Sequence, residues 1–281
     1  MTIDTHIHLY NPFRPEGAPW PDPGNELLYR PTLPVHIKSQ AIPEGVTGVV
    51  VVEASERVED NGWILDLADN YEPFILGLVG RLEPDDEHFE RDLARFAANP
   101  IFRGIRFWGR YFVDVEEHGL IDKMSQLARH HLVLDVNFPH DNEEGFSTLS
   151  TRVPDLTVVI EHVGQAPVNG ERPPEAWIER MRRAAENPRV SMKVSALMEH
   201  CSEQPAPAAV DLYRPAFETM WELFGGDRLF FGSNWPVCER AGTYARCLQI
   251  ARALLAERSE SEQAAFFHEN AARIYGLSAR S

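Results

Sequence analysis

The chain has 281 residues, 43% hydrophobic and 25% charged, the balance of a globular protein with a large core. That length suits one α/β barrel or two ordinary domains. Against 43 Asp and Glu stand 27 Lys and Arg, a formal charge of −16, so nucleic acid and anionic membrane are poor partners. Cys201, Cys238 and Cys247 form no CxxC pair and leave one unmatched in any disulfide scheme, which points to a reduced, cytoplasmic chain. The N-terminus shows no signal peptide, and no stretch approaches the roughly 20 apolar residues of a membrane span.

Read in chain order, short β-type runs alternate with amphipathic stretches. A strand over Ile3–His8 leads into a proline-rich loop, Tyr10–Pro34, that carries Trp20. A second strand, Thr47–Ala54, holds the unbroken run Val49–Val52 and precedes a helix over Glu59–Tyr71. Strand Phe74–Arg81, helix Asp86–Ala98, strand Phe102–Trp108, helix Leu120–His131 and strand Leu132–Phe138 follow. Then come strand Leu156–His162, helix Pro174–Glu186, strand Val190–Ser195, helix Asp211–Phe224 and strand Leu229–Asn234. Asn99-Pro100, Asn187-Pro188 and Gly225-Gly226 stop helices where a strand is due. Two helices, Tyr244–Glu257 and Ser261–Tyr275, close the chain, with Gly276 as the stop. Eight strands with intervening helices predict a (β/α)8 barrel spanning residues 1–281 as one domain, with extra C-terminal helices. An open doubly wound sheet shares the alternation, but no GxGxxG or Walker-type loop is present.

Ionisable groups gather at the strand ends. His6 and His8 share a face by strand alternation, and two imidazoles there can meet one divalent metal. Glu53, Arg106, Asp135, Asn137, Glu161-His162, Lys193, Ser195 and Ser233-Asn234 stand at the other ends. Buried charges are costly, so their convergence suits a reaction centre, while any single one can be a structural ion pair. Arg103, Arg106 and Arg110 cluster around the fourth strand, with Trp108 and Tyr111. Arg106 either clamps a substrate carboxylate in bidentate fashion or pairs with a neighbouring acid. The loop holding Trp20 is either a pocket wall or a packed surface, including a dimer surface. His88, His130 and His131 lie on helical stretches and read as surface residues.

The ordered motifs Asp4-Thr5-His6-Ile7-His8, Ile160-Glu161-His162-Val163-Gly164, Met192-Lys193-Val194-Ser195 and Gly232-Ser233-Asn234-Trp235-Pro236 resemble the amidohydrolase-related family. The closing Glu269–Gly276 is similar to its usual C-terminal helix. Within it the chain looks most like the sugar-acid and 2-pyrone-4,6-dicarboxylate lactonases. The resemblance implies a (β/α)8 barrel and hydrolysis, with His6, His8 and His162 where relatives hold metal ligands or carbonyl-polarising groups. It leaves open one divalent ion, zinc or manganese, or metal-free chemistry. One departure stands out: the family's Gly-Ser-Asp-Trp-Pro has Asn234 here, and an amide is no general base near neutral pH. Glu53, ahead of Asp135, is the carboxylate expected to assist the water.

The sequence therefore predicts a lactone-opening hydrolase acting on a small, acidic substrate, with no nucleic acid or membrane partner and with room for a homo-oligomer. Glu53, His162, Asn234, Asp135 and Lys193 are its candidate catalytic groups. Arg106, Trp108, Arg110 and Trp20 are candidate substrate contacts, and His6, His8 and His162 candidate metal ligands. Two alternatives stand beside it. A metal-dependent decarboxylase is disfavoured because such relatives carry a histidine where this chain has Asn137, with His140 only in the loop. A barrel that binds a ligand or partner without turnover is permitted by Asn234.

Overall fold

The computed structural model describes residues 1–70, 74–113, 115–116, 119–137 and 143–277. Eight parallel strands form one sheet in the order β1-β2-β3-β4-β5-β6-β7-β8. They are β1 (Thr2–Ile7), β2 (Val46–Val52), β3 (Ile75–Gly80), β4 (Phe102–Trp108), β5 (Val133–Asn137), β6 (Thr157–Ile160), β7 (Val190–Val194) and β8 (Leu229–Phe231). A bridge between Ile7 and Trp235 links the first and last strands. It is sewn by Asn234 N–H to the His6 carbonyl at 2.8 Å and His8 N–H to the Trp235 carbonyl at 2.7 Å. The expected (β/α)8 barrel is therefore what the chain forms.

Around the sheet lie α1 (Pro34–Ala41), α2 (Asp60–Asn70), α3 (Phe89–Ala97), α4 (Leu120–Arg129) and α5 (Glu143–Arg152). The ring continues with α6 (Glu175–Ala185), α7 (Arg214–Phe224) and α8 (Tyr244–Leu255), and the chain ends on α9 (Glu260–Ala264) and α10 (Asn270–Ile274). Helical spacing buries one stripe of each against the sheet, as with Phe89, Leu93 and Phe96 on α3. The strands are apolar on both faces because helices cover the outside and side chains fill the inside.

Three elements differ from the sequence reading. Pro34 is not the end of a loop but sits in the first turn of α1, where its missing N–H costs nothing. Helix α5 escaped notice because Gly145, serines and threonines give it weak helical propensity. Gly145 is required there, since a Cβ would lie 1.8 Å from the Phe112 carbonyl oxygen. The expected last helix is split by a wider π-type turn, Ala265–Glu269, which buries the adjacent Phe266 and Phe267 together. Phe138, Tyr71 and His140, named in the expectations above, lie outside the described residues.

Inside the barrel, Ile3, Val50, Val79, Val133, Val159 and Phe230 make an apolar floor, and Tyr275, just past α10, closes it from below. Above it the interior turns ionic. Lys193 Nζ meets Asp135 Oδ2 at 2.5 Å, and the Tyr275 hydroxyl donates to Asp135 Oδ1 at 2.8 Å. Lys193 also lies 3.9 Å from Glu161 Oε1, and Arg106 Nε donates to Glu161 Oε2 at 2.7 Å. Two cations and two carboxylates balance here, the condition under which charges persist in a buried interior.

Candidate active site

Strand β1 carries an irregularity in its register between Asp4 and Ile7. Ile3 packs in the inner floor, so regular alternation alone would send His6 outward. The irregularity turns His6 and His8 inward instead. Asp4 anchors the bend: its Oδ1 accepts from the N–H groups of His6 (3.1 Å) and Ser233 (2.8 Å), and its Oδ2 from the Tyr244 hydroxyl (3.1 Å). Gly232 is needed beside this bend, because a Cβ would come within 2.9 Å of the His6 Cβ.

The left-handed turn after β6 does similar work. Val159 points inward, so Glu161 continues that face and His162 would point away. His162 and Val163 instead adopt φ of +53° and +49°, a conformation costly for residues with a Cβ, and the His162 ring swings to the mouth. Ser195 Oγ lies 3.0 Å from both the His162 backbone nitrogen and Nδ1 and holds the ring there. Ala196 after β7 and Asn234 after β8 are left-handed too, with φ of +54° and +62°. Backbone strain thus marks the ends of three consecutive strands.

The result is a histidine cluster. Ring centroids lie 4.9 Å apart for His6 and His8 and 4.5 Å for His6 and His162. Burial, reinforced by neighbouring cations, holds all three below their ordinary pKa, His8 at about 3, so they stay neutral, each with one ring nitrogen able to act as an electron-pair donor. His6 is fully buried, and neither of its ring nitrogens has a hydrogen-bond partner among the described residues. Glu161 Oε1, likewise unpartnered, lies 3.4 Å from His6 Nδ1. Ligand atoms of His6, Glu161 and His162 all fall within 4.8 Å of one another. Two neutral imidazoles and a carboxylate are donors that fit a divalent ion such as zinc. His8 sits at the edge of this group rather than in it. Its Nδ1 is 3.0 and 3.1 Å from the Val52 and Glu53 carbonyls, and its Nε2 faces Asn234 Oδ1 at 3.3 Å.

Over the cluster opens a cleft of about 600 Å³. His8, His162, Asn234, Glu53 and Arg106 reach it from the floor, and Trp20, Trp108, Arg81 and Arg110 line it higher up. The Trp20 ring stands 5.9 Å from His8, so the long loop after β1 is a wall of the cleft. Arg106 stacks under Trp108 at 4.6 Å, as their shared face predicts. Its guanidinium is engaged: besides Glu161 it lies 3.5 Å from Glu53 Oε1 and 3.3 Å from His162 Nε2. Burial opposes its charge, but Glu161 and Glu53 outweigh that and raise its pKa. Burial also raises the Glu53 pKa, against Arg106 and Arg81.

Not every expected residue reaches the cleft. Asp135 and Lys193 lie under the floor, paired with each other, and burial lifts Asp135 to about 6 despite Lys193. Arg103 leaves the cluster around strand four: it packs beside Gly77 and Gly276 at the opposite end of the barrel. His88, His130 and His131 are exposed.

The family-wide comparison fits this geometry. The family model described as Amidohydrolase matches residues 3–277. The chain belongs to the amidohydrolase family. It is a hydrolase. An L-fucono-1,5-lactonase of Burkholderia ambifaria is 28% identical over 245 residues, covering 86% of this chain and 82% of that protein. A second L-fucono-1,5-lactonase, from Burkholderia multivorans, is 25% identical over 99% of this chain and 96% of its own length. A crystal structure of an amidohydrolase from Burkholderia multivorans with bound zinc superposes with a TM-score of 0.84 at 22% identity, covering 99% of this chain and 100% of that one.

Two members of this site, Arg81 and Glu199, are absent from the sequence candidates, and Glu161 stands there only as a strand-end residue, although strand parity aims it inward. Arg81 follows β3, where the sequence offers only a strand boundary. Glu199, in the loop after β7, donates nothing but accepts the Asn234 amide at 2.8 Å. No local motif announces it. Among the described residues, no helix is long and apolar enough to cross a membrane, and all three cysteines are buried and free.

Proposed function

We propose that this amidohydrolase opens a small lactone with water. The observation that carries the reading is the meeting of Arg106 and Glu53, 3.5 Å apart in the cleft floor, beside the histidine cluster. A carbonyl seated there finds positive charge for its oxygen and a buried carboxylate for the proton of water. Burial raises the Glu53 pKa against the pull of Arg106 and Arg81, a direction that suits a group that must take a proton and return it.

The balance is simple. The oxygen of water bonds to the lactone carbonyl carbon, and its proton passes to a Glu53 oxygen. The ring C–O bond then breaks, and the same proton goes to the departing oxygen. The product is a hydroxy acid. Asn234 cannot take part in the proton's path but can accept a hydrogen bond from the water and aim it. His6, Glu161 and His162 are the residues that would hold a divalent ion, zinc in the related crystal structure. Bound there, the ion supplies Lewis-acid polarisation of the carbonyl. Arg81 and Arg110 on the upper wall favour a substrate with a carboxylate or other anionic group, and Trp20 and Trp108 offer flat faces for a ring.

The test is an assay of the purified protein on sugar-acid 1,4- and 1,5-lactones and a pyrone dicarboxylate, with and without added zinc. Turnover above spontaneous hydrolysis supports the reading. Decarboxylation of an aromatic acid with no lactone turnover would overturn it.

A further inference from the structure

Glu199 presents a carboxylate to a neutral amide in a nearly closed site. Its Oε1 accepts from Asn234 Nδ2 at 2.8 Å, while its Oε2 is buried with no hydrogen-bond partner among the described residues. A glutamine would make the same contact without the cost of burying charge. The charge therefore needs a reason, and the far end of the amide supplies one.

An ionised carboxylate can only accept, so it can only be met by the NH2 end of Asn234. The carbonyl end must then face the cleft, where Oδ1 lies 3.3 Å from His8 Nε2. His8 has already used its one N–H at Nδ1, which faces the Val52 and Glu53 carbonyl oxygens at 3.0 and 3.1 Å. Its Nε2 carries a lone pair. Two acceptors thus stand side by side in the floor, and neither can satisfy the other. Together they require a molecule with two hydrogens to give, and water has two.

A neutral group at 199 would remove the constraint. Asn234 could rotate, accept from the group at 199 and donate Nδ2–H to His8 Nε2. The two acceptors would then satisfy each other and the water would lose its seat. We infer that Glu199 is a positioning residue: its negative charge keeps the Asn234 carbonyl turned toward His8, holding a two-acceptor seat for the attacking water.

Burial lifts Glu199 to about 7, with the Asn234 bond and Arg240 opposing, so its charge changes across the neutral range. The groups that face it are Asn234, the Arg240 guanidinium and the thiols of Cys238 and Cys247, with His200 next in the chain. Both thiols are raised by burial and further by Glu199, and stay protonated.

The water's role rests on the lactone-hydrolase reading; the amide's orientation does not, and the experiment separates them. In the full-length protein with selectively 15N-labelled asparagine, the Asn234 side-chain NH2 signals are followed from pH 5.5 to 8.5. They should move with one titration in the parent and stay fixed in Glu199→Gln. With L-fucono-1,5-lactone, or another lactone the parent opens, Glu199→Gln should lose about 10-fold or more in kcat with KM little changed, and lose the acidic limb of the pH profile. Glu199→Asp, which keeps the charge, should recover part of both. Parent amide signals that ignore pH overturn the proposal, even if the variant does not fold. So does a Glu199→Gln enzyme with the parent's kcat and pH profile. A parent with no lactone turnover but a titrating Asn234 amide overturns the lactonase reading and supports the orientation.

Discussion

Arg106 and Glu161 meet at 2.7 Å, Nε to Oε2, with 6% and 0% of their side chains open to solvent. The sequence leaves Arg106 either a clamp for substrate or one half of an ion pair, and the structure makes it first a counter-ion to the carboxylate beside His6, with the cleft on its other side. Removing it leaves Glu161 with only the more distant Lys193, 3.9 Å away and already paired with Asp135. Arg106→Met should lower the unfolding free energy by about 3 kcal/mol, the scale for breaking one side of a buried pair. Urea unfolding measures this, and a midpoint equal to the parent's would show the pair to be solvated. Arg106→Lys keeps the charge but loses the planar fork, and should cost about 10-fold or more in kcat/KM.

The carboxylate assigned to the proton is tested by Glu53→Gln, which keeps size and hydrogen bonding. Turnover of a lactone should fall by roughly 100-fold or more, the range for a general acid–base group. Asn234→Ala should do less harm, since it removes positioning alone. The reverse order, with Asn234→Ala crippling and Glu53→Gln mild, would move the base away from Glu53.

Metal content is measured by elemental analysis after zinc loading. The parent should retain about one zinc per chain, as expected of a tetrahedral site with N and O donors, and His6→Ala should retain little. Free zinc at about 100 times its dissociation constant should add about 2.7 kcal/mol to the parent's stability. Equal retention by His6→Ala would place any zinc elsewhere.

Stability should also depend on pH through Glu199. Its pKa in the folded chain, about 7, exceeds the ordinary 4.5, so the folded state holds the proton more tightly than the unfolded one. Its contribution is then full below about pH 4.5 and lost as pH rises through 7. Glu199→Gln cannot lose what it does not titrate. Between pH 5 and 8 the variant should gain about 2 kcal/mol relative to the parent, on a scale of 1.36 kcal/mol per pKa unit. Parallel stability curves for the two proteins would contradict the buried charge.

Much of this molecule is legible in its sequence. The alternation of Val-rich runs with amphipathic stretches predicts all eight strands, and β4 matches its expected bounds of Phe102–Trp108. Several other strands end a few residues early, because His8, Glu161-His162 and Ser233-Asn234 bend out of the ladder to form the mouth. The spacing of His6 and His8 correctly places them on one face. Which face depends on the register irregularity in β1, a backbone event with no signature in the residues. His162 is similar: parity would turn it away, and only a left-handed turn brings it in. Glu199 was illegible because a single glutamate in a loop has no period, and its meaning comes entirely from Asn234, 35 residues away.

The Tyr275 hydroxyl on Asp135 gives the barrel a stopper made from nearly the last described turn of the chain. The ion pairs beneath the histidines are assembled from β4 to β7, yet they are sealed from below only when residue 275 arrives. The strands that carry Lys193 and Asp135 are thus covered by a residue far along the chain from both, so the floor of the site is held by tertiary packing that the strands alone do not supply.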